Sequence, residues 1–596
     1  MCEGIDYPSM RSVASTLVPC VSSMVEQEKV DGLRTRAKGE LFGRAVLGSM
    51  VRVACVLWGV GCGGDAAQSA DGGTAYDATP FADAVPADAA VPLPDAGPEC
   101  GDGVVEGEES CDDGEENADA WSLEGHCNAS CTGQAAFCGD GEIDSNDGEA
   151  CDDGAGNNDA WEPLEHCNSS CSASAPLCDL PEDTSVTFPH PGVPYPVENT
   201  HSAEKAVLGK ILFWDQQLSA DDTIACGSCH QGSAGGSDTR AGLALHPGAD
   251  GLDETGDDVH GSMGIRRCEM IAGVPVAKDD AIFGANVQVT DRKTPSFLDA
   301  MFAPTLFWDG RATDAFTDPD TDVVVIATGG ALESQSLGPL LSPVEMSCEG
   351  RTFDDLYLKM ATVAPLALAT NLPPDMANAV CKYPSYPELF ASAFGDATVS
   401  AQRIAFAIAT YERTLVSDDT PYDHFTDPQN PDLTALTVAQ QDGLALFEGV
   451  SGCSDCHTVT PPNENAPAQF SNQDFHNVGF IDMDAQTNPD LGLQRTTGLA
   501  EDAGKFRTPT LRNVGLREVG GLLHTGLGGS LEDVMAAYNT PGVPPGPGST
   551  TDPRMIPLGL TSEEIANLVD FMRNALSDPR VAADAFPFDH PTLFVP

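Results

Sequence analysis

Residues 225–231 read ACGSCHQ, and residues 452–458 read GCSDCHT. Each stretch holds two cysteines three positions apart, with a histidine directly after the second cysteine. Such a pair could clip a metal ion, cycle as a redox disulfide or attach a prosthetic group. A zinc clip needs a second pair of ligands nearby, and the two stretches lie far apart in the chain. A thioredoxin-type pair needs no following histidine and belongs to a βαβ pattern, which this region lacks.

The remaining interpretation is covalent attachment of two c-type haems, because C-x-x-C-H is the signature of that linkage. The cysteines form thioether bonds to the haem vinyl groups, and the adjacent histidine then lies beneath the iron as its proximal ligand. The predicted attachment residues are Cys226, Cys229, Cys453 and Cys456, and the predicted iron ligands are His230 and His457.

Composition narrows the classes of partner. The 596 residues include 29 Lys+Arg and 91 Asp+Glu, a formal net charge of −62. Such a surface repels nucleic acid and anionic membranes, so nucleic acid is excluded as a partner. It favours a basic protein partner. No apolar run is long enough to span a membrane beyond the N-terminal leader.

The 20 cysteines indicate an oxidising, exported compartment. Residues 1–62 supply a leader: basic residues precede VACVLWGVGCGGD, in which Cys62 follows small residues. This segment resembles a bacterial lipoprotein signal, which places the protein in the periplasm or on the outer membrane of a Gram-negative-type bacterium, held only by a lipid anchor. An ordinary cleaved signal peptide is the alternative.

Two further regions precede the haem motifs. Residues 63–98 are rich in Ala, Asp, Gly and Pro, and we expect a disordered tether. Residues 99–178 contain a repeat, CGDGVVEGEESCDDG and then CGDGEIDSNDGEACDDG, with four cysteines per copy. We expect small disulfide-rich modules rather than zinc sites. Their C-D-D-G turns could bind calcium or be simple acidic turns.

From about residue 195 the sequence predicts a mostly α-helical region with long loops. Residues 400–415 and 436–449 repeat apolar positions at helical spacing. Residues 560–576 begin with a capping box from Thr561 to Glu564.

This region resembles the bacterial di-haem cytochrome c peroxidase and MauG family. The resemblance is carried by LGKILFWDQQLSADDTIACGSCH (208–230), RKTPSFLDAMFAPTLFWDGRA (292–312), LESQSLGPLLSPVEM (332–346), GLALFEGVSGCSDCH (443–457) and FRTPTLRNVGLREVGGLLHTGLGGSLEDVMAAY (506–538). It implies two cytochrome-c-like domains, an N-terminal peroxidatic one at 195–425 and a C-terminal electron-transfer one at 426–580. It also implies reduction of hydrogen peroxide with electrons from a small redox protein or other donor.

The resemblance assigns roles to individual residues. Gln335, Pro339 and Glu345 would line the distal face of the N-terminal haem, and Trp308 would relay electrons between the haems. The chemistry agrees for Glu345, because cleavage of a peroxide bond requires a proton to move from one oxygen to the other, which a carboxylate can carry. His476 and His524 are expected near the haems without binding iron.

Two departures from the family pattern stand out. The family peroxidases keep a histidine before the motif R-N-x-P-S that binds the resting N-terminal iron, but residues 261–291 contain none; His260 and His246 lie further upstream. The motif itself is RKTPS here, so Lys293 replaces an asparagine that supports a calcium ion between the haems. An ammonium offers no lone pair, and the interhaem calcium is therefore in doubt.

Two assignments stay open. Tyr538 is the favoured sixth ligand of the second haem, as in MauG, with Met535 one helical turn away as the alternative. Four cysteines, namely Cys178, Cys268, Cys348 and Cys381, are expected in disulfides, and three pairings are possible.

Three functions remain in competition. The leading hypothesis is a di-haem peroxidase in which electrons pass from the C-terminal to the N-terminal haem. The alternatives are a MauG-like oxidase of an organic or protein substrate, and a surface electron carrier without turnover.

Overall fold

The computed structural model describes residues 100–595, except for 106, 123–124, 146–148, 155–156, 158–165, 173, 176–179, 241–257, 480–489 and 541–549. The predicted leader (1–62) and tether (63–98), together with Cys178 and His246, lie outside the described residues.

Helices dominate the regular secondary structure, as predicted. They are α1 (Ala203–Trp214), α2 (Cys226–Cys229), α3 (Ala331–Ser336), α4 (Gly338–Leu341), α5 (Phe353–Met360), α6 (Pro374–Lys382), α7 (Tyr386–Phe394), α8 (Ala401–Glu412), α9 (Pro421–Thr426), α10 (Val438–Glu448), α11 (Gln494–Thr497), α12 (Val514–Arg517), α13 (Leu531–Asn539), α14 (Ser562–Asp570) and α15 (Pro579–Ala582). Short 3-10 helices cover Gly114–Glu116, Gln216–Leu218, Gly232–Ala234, Ala300–Phe302, Cys453–Asp455, Ala500–Asp502 and Glu518–Gly520, and a π-helical turn, Phe571–Ala575, extends α14.

The three helices expected from apolar periodicity are confirmed as α8, α10 and α14. The capping box also forms: the Thr561 side chain accepts from the Glu564 backbone N–H, and the Glu564 carboxylate accepts from the Thr561 N–H at 2.8 Å. Local signals decided these helices because each has a polar cap and a continuous apolar face.

The two largest hydrophobic cores each pack against one of the two haem motifs, through Cys226 and Cys453. The first is built around α1 and α8, which pack against each other, with α5, α6 and α7 beside them. The second is built around α10 and α14. The chain crosses between the cores, since Tyr422 on α9 packs in the second core and Phe588 near the C-terminus packs in the first.

The strands are short and form separate antiparallel pairs. They are β1 (His166–Cys167) with β2 (Ser174–Ala175), β3 (Met263–Arg266) with β6 (Val287–Val289), β4 (Cys268–Ile271) with β5 (Val274–Ala277), β7 (Phe316–Asp318) with β8 (Val323–Ile326), and β9 (Phe475–His476) with β10 (Phe506–Arg507). Four of these strands, β3 to β6, form the insertion that follows the first haem motif.

The Cys-rich repeats are disulfide modules, as predicted. Each copy carries the same two crosslinks: Cys100–Cys131 and Cys111–Cys127 in the first, and Cys138–Cys171 and Cys151–Cys167 in the second. The first aspartate of each C-D-D-G turn, Asp112 or Asp152, accepts hydrogen bonds from glycine N–H groups. These carboxylates therefore hold the turns of the repeat together.

The catalytic region has its own disulfide. Cys268 on β4 is bonded to Cys348, 80 positions later, in the loop that also carries Glu345. Cys381 is disulfide-bonded as well. The sequence left three pairings of the four cysteines open, and the structure shows that Cys268 pairs with Cys348. This disulfide links the β3–β6 insertion to the loop that carries Glu345.

In the part of the chain that the structure describes, no helix is both long enough and apolar enough to cross a membrane.

Candidate functional site

The first haem motif forms the short helix α2, which packs against α1. Gly227 lies against the indole of Trp214, and a Cβ at this position would come within 2.2 Å of a ring carbon, so only glycine fits. The motif is thereby held against the first core. The His230 ring contacts Phe213 and Phe297, with ring centroids 6.0 and 5.3 Å away.

A cavity of about 460 Å³ opens beside this motif. It is lined by Cys226, Cys229 and His230, and by the three predicted distal residues Gln335, Pro339 and Glu345. Gln335 comes from α3 and Pro339 from α4, while Glu345 lies in the following turn, so a short continuous stretch of chain supplies one wall. The structure thus brings together in one cavity the attachment motif and the distal residues, more than one hundred positions apart, that the resemblance assigned to the same haem.

Glu345 is a carboxyl whose surroundings favour its protonated form. Burial raises the pKa of its carboxyl, while a hydrogen bond from the Ser342 side chain and the charge of Arg311 act in the opposite direction. A raised pKa brings a carboxylate closer to the value at which it can both accept and return a proton near neutral pH.

A second histidine in this cavity could bind the iron of an N-terminal haem. Of the residues that the structure describes, His230 is the only histidine that lines the cavity, and His260 does not reach it. This agrees with the sequence, in which the usual displaceable histidine is missing.

The second haem motif opens a second cavity, of about 270 Å³. Cys453, Cys456 and His457 line it, with Cys453 beginning a 3-10 turn. The Nδ1 of His457 donates to the Phe470 carbonyl at 2.8 Å, which leaves Nε2 as the free ring nitrogen. Burial lowers the pKa of His457, and of His230, to about 4, so both rings are neutral, the form that binds iron.

Both candidates for the sixth ligand face this second cavity. Met535 and Tyr538 lie on α13 and line the cavity together, as their spacing of three predicts. Ser530 caps the helix and fixes its start. The choice between the two side chains therefore stays a prediction.

One wall is shared by the two cavities. Trp308, Lys293 and Arg507 line both of them. The indole N–H of Trp308 donates to the Lys293 carbonyl at 2.8 Å, and the Trp308 ring meets His524 edge-on at 6.3 Å. Trp308 thus borders both cavities, and its role as an electron relay stays a prediction.

His476 and His524 also line the C-terminal cavity, as expected. The Nδ1 of His476 lies 2.9 Å from Asp552, and its Nε2 lies 3.1 Å from the Asn472 amide, so both nitrogens have protein partners. His524 stacks on Phe506 at 3.9 Å between ring centroids. The supporting role expected for these two histidines stays a prediction.

Three cationic side chains bear on whether the cavities suit a haem. Lys293 and Arg517 are buried, Arg507 is partly buried, and each lines one or both cavities. In the described part of the chain, none of the three forms a salt bridge with a carboxylate. Their nitrogens donate to neutral oxygens of Gly521, Arg517, Phe307, Gln473, Arg512 and Thr510. Burial lowers the pKa of Lys293 to about 7, and those of Arg507 and Arg517 to about 10.

Buried charges are normally paired, so this set requires anions. A haem carries two propionate groups, which would supply them. The cysteines agree: within the described ranges, Cys226, Cys229, Cys453 and Cys456 are the only cysteines outside disulfides. The residues present therefore fit two covalently attached haems.

The surroundings of Lys293 bear on the calcium that the family resemblance implies. The Lys293 Nζ contacts the Gly521 carbonyl and lies 3.4 Å from the Arg517 carbonyl, with the Arg517 guanidinium nearby. The ammonium thus takes up two carbonyl oxygens at this position. Whether calcium binds between the cavities stays a prediction.

Sequence reasoning missed some residues of the site. Arg507 and Arg517 lie within the stretch FRTPTLRNVGLR, which stands above only as part of the family resemblance. Glu412 lies in TYERTL, which stands above only as part of the helix predicted at 400–415. A charged residue inside an apolar helical face was the available signal for Glu412, since such residues are seldom buried without a partner.

Comparisons with known proteins relate this chain to di-haem peroxidases and to MauG. Residues 203–430 match the family model described as di-haem cytochrome c peroxidase. The chain is 27% identical over 390 residues to the methylamine utilization protein MauG of Methylorubrum extorquens, covering 65% of this chain and 82% of that protein. It is 28% identical over 436 residues to the cytochrome-c peroxidase IdrP1 of Denitromonas iodatirespirans, covering 67% and 90%.

A third relative is the cytochrome c551 peroxidase of Nitrosomonas europaea, 27% identical over 315 residues, with coverage of 53% and 67%. Among solved structures, a MauG-like protein associated with microbial copper homeostasis is 25% identical, with a TM-score of 0.46, over 68% of this chain and 98% of that one.

Proposed function

Because this chain belongs to the di-haem cytochrome c peroxidase and MauG family, we propose that it reduces hydrogen peroxide to water with electrons from an external donor. It is an oxidoreductase of the di-haem peroxidase type, and its family carries two c-type haems. The observation that supports peroxide as the substrate is the N-terminal cavity. Gln335, Pro339 and Glu345 line it together with Cys226 and His230.

The bound N-terminal haem would supply an iron at which peroxide binds and from which electrons are delivered. Glu345 then acts as general base and acid: its carboxylate accepts a proton from one peroxide oxygen and returns it to the other as the bond breaks. Gln335 orients the peroxide through its amide, and Pro339 closes the wall without adding a polar donor. His230 would hold the iron of that group through its ring.

Electrons would enter through the C-terminal cavity and pass to the N-terminal one. The shared wall supports a path between the cavities, because Trp308 borders both of them and its indole N–H donates to the Lys293 carbonyl. The C-terminal cavity has a protein side chain, Tyr538 or Met535, available for the sixth position, so it is suited to electron transfer rather than to binding peroxide.

The MauG-like alternative rests on Tyr538. An anionic phenolate stabilises ferric iron and lowers its potential, whereas methionine sulfur raises it. A tyrosine ligand would therefore favour an oxidase acting on an organic or protein substrate. The electron-carrier hypothesis has less support, since a carrier has no use for an acid group such as Glu345 beside an open cavity.

We also propose that Lys293 replaces the interhaem calcium with its own ammonium. The propionates would stabilise the protonated form of Lys293, because an anion raises the pKa of a nearby amine. The site would then need no free metal ion.

The disulfides support export to the periplasm or cell surface, and lipid anchoring through Cys62 is part of the same proposal. The donor would be a small basic redox protein, complementary to the acidic surface.

Peroxide consumption with a reduced small cytochrome as donor tests this function. The peroxidase predicts loss of one peroxide for every two electrons taken from the donor. Peroxide loss that requires an organic or protein substrate would favour the MauG-like oxidase, and electron exchange without peroxide loss would leave only the carrier.

A further inference from the structure

A second carboxyl, Glu412, lies in the N-terminal cavity and is absent from the mechanism above. Glu412 ends α8 and lines the cavity together with Ile408, one turn earlier on the helix, and with Glu345 and Gln335 across the cavity. Only 4% of the residue is exposed, and its Oε2 is buried with no hydrogen-bond partner.

The charges around Glu412 leave it without compensation. Its sequence neighbour Arg413 is the nearest cation, but both terminal nitrogens of Arg413 bind Glu333 on α3, at 2.7 and 3.0 Å. Glu333 adds a second negative charge close by.

The other helix packed on α8 offers no cation either. On α1, Lys205 contacts Asn199 and the Thr200 carbonyl, and Lys210 is paired with Asp375 and Asp589. Tyr411 and Cys226 are electrostatic neighbours as well, and Cys226 ceases to titrate once it forms a thioether. The cavity is also lined by Glu345, His230, Asp291 and the cations Arg292, Lys293, Arg311 and Arg507, none of which forms a hydrogen bond or salt bridge with Glu412 in the described residues.

We propose that Glu412 is a protonated acid of the N-terminal cavity that supplies a proton to peroxide reduction. Burial raises the pKa of Glu412 to about 8, with Arg413 opposing and Glu333 adding to the shift. A buried carboxyl without a partner is neutral at pH 7 and can donate.

The reaction creates the need for such a group. Reduction of one hydrogen peroxide to two waters breaks one O–O bond and consumes two electrons from the donor and two protons. Glu345 moves a proton between the peroxide oxygens but adds none. Glu412 would release its proton into the cavity, where it completes an O–H bond of product water, and would regain a proton from solvent.

The side of the cavity argues against a different role. Glu412 lies close enough to Cys226 to influence that thiol electrostatically. Glu412 therefore lies on the side of the cavity where Cys226 would hold the haem, whereas Lys293 and Arg507 would balance the charge of its propionates.

The test is infrared spectroscopy of the two-haem protein as a function of pH, with Glu448→Gln, at an exposed site on α10, as the control. We expect a carboxylic-acid C=O band at pH 7 that disappears above about pH 8 in wild type and in the control, and that is missing in Glu412→Gln. Absence of any such titrating band in wild type would overturn the proposal even if Glu412→Gln did not fold.

This inference rests on the proposed peroxidase function, so turnover is measured separately. We expect peroxide turnover to fall about tenfold per pH unit above the Glu412 pKa, and Glu412→Gln to lose this alkaline limb while Glu412→Asp keeps it. If wild type shows the band but no peroxide turnover, the proposed function fails and the protonated acid stands. If turnover has no alkaline limb, or keeps it in Glu412→Gln, the proton-donating role is wrong.

Discussion

The two haem cavities use the same attachment motif but differ in what faces them. The N-terminal cavity is lined by carboxyl and amide side chains, and by no described histidine other than the predicted iron ligand. The C-terminal cavity is lined by a helix that presents Met535 and Tyr538, and its proximal His457 is tied to a backbone carbonyl. Under the proposed function, the first cavity would bind the substrate and the second would offer a protein ligand to its iron.

Under the proposed function, C-x-x-C-H by itself specifies only where a haem is attached. The residues that line the rest of each cavity specify what that haem does. In the N-terminal half, α3, α4 and the loop fixed by Cys268–Cys348 carry such residues. In the C-terminal half, α13 carries them.

The largest effect should come from removing one attachment site at a time. Cys226→Ser with Cys229→Ser, and Cys453→Ser with Cys456→Ser, should each leave one covalent haem, measured as pyridine haemochrome. Loss of the N-terminal haem should abolish reaction with peroxide. Loss of the C-terminal haem should abolish donor-driven turnover while peroxide still binds. Two remaining haems in either variant would contradict the assignment.

Glu345→Gln should lower peroxide turnover by ~10²-fold or more, because the proton transfer loses its carrier. Haem content should stay at two per chain. The matched control is Glu349→Gln, four positions later, where the side chain is half exposed and paired with Arg267. Equal turnover in the two variants would remove Glu345 from the mechanism.

The pH profile should sharpen the same contrast. Burial raises the pKa of Glu345, and a general base works only when deprotonated. The value of kcat/KM should therefore fall about tenfold per unit as pH drops through that raised pKa. The C-terminal spectrum should not change over the same range. An acidic limb at the value of an ordinary glutamate would show that Glu345 is not desolvated in the working enzyme.

A more modest effect is expected from the opposite wall of the C-terminal cavity. Tyr538→Phe should open that iron and change its spin state, with a rise in its potential, because a phenolate ligand is lost. Met535→Leu should leave the spectrum as it is. Methionine–iron spectral features that vanish in Met535→Leu would reverse the assignment and favour ordinary cytochrome c peroxidase chemistry.

The smallest expected effect is none. Treatment with a calcium chelator should leave turnover and haem spectra unchanged, since Lys293 supplies the charge at this position. Lys293→Asn should make the protein respond to added calcium. A chelator effect on wild type would show that a metal ion binds elsewhere between the cavities.

Sequence alone predicted much of this architecture. The helices α8, α10 and α14 followed from local apolar spacing and caps, and the repeat disulfides followed from cysteine number and export. Gln335 and Glu345 could be placed only through the family resemblance, because no local pattern tells a loop carboxylate that faces a cavity from one in solvent.

The remainder depends on contacts between distant parts of the chain. The pairing of Cys268 with Cys348 required knowledge of which loops meet. Packing between distant segments also places Arg507 at both cavities. It pairs Arg413 with Glu333 on α3, so Arg413 does not pair with Glu412. Such arrangements leave no periodic signal.

Under the proposed function, the N-terminal iron of the resting protein has no protein ligand besides His230, whereas the C-terminal iron has a second protein ligand. Electron paramagnetic resonance of the fully oxidised, unreduced protein tests it most directly. We predict one high-spin and one low-spin ferric signal of equal intensity, with the high-spin signal lost in Cys226→Ser, Cys229→Ser. Two low-spin signals that become one only after an electron is added would contradict the account, and would identify His260 or His246 as a ligand of the N-terminal iron.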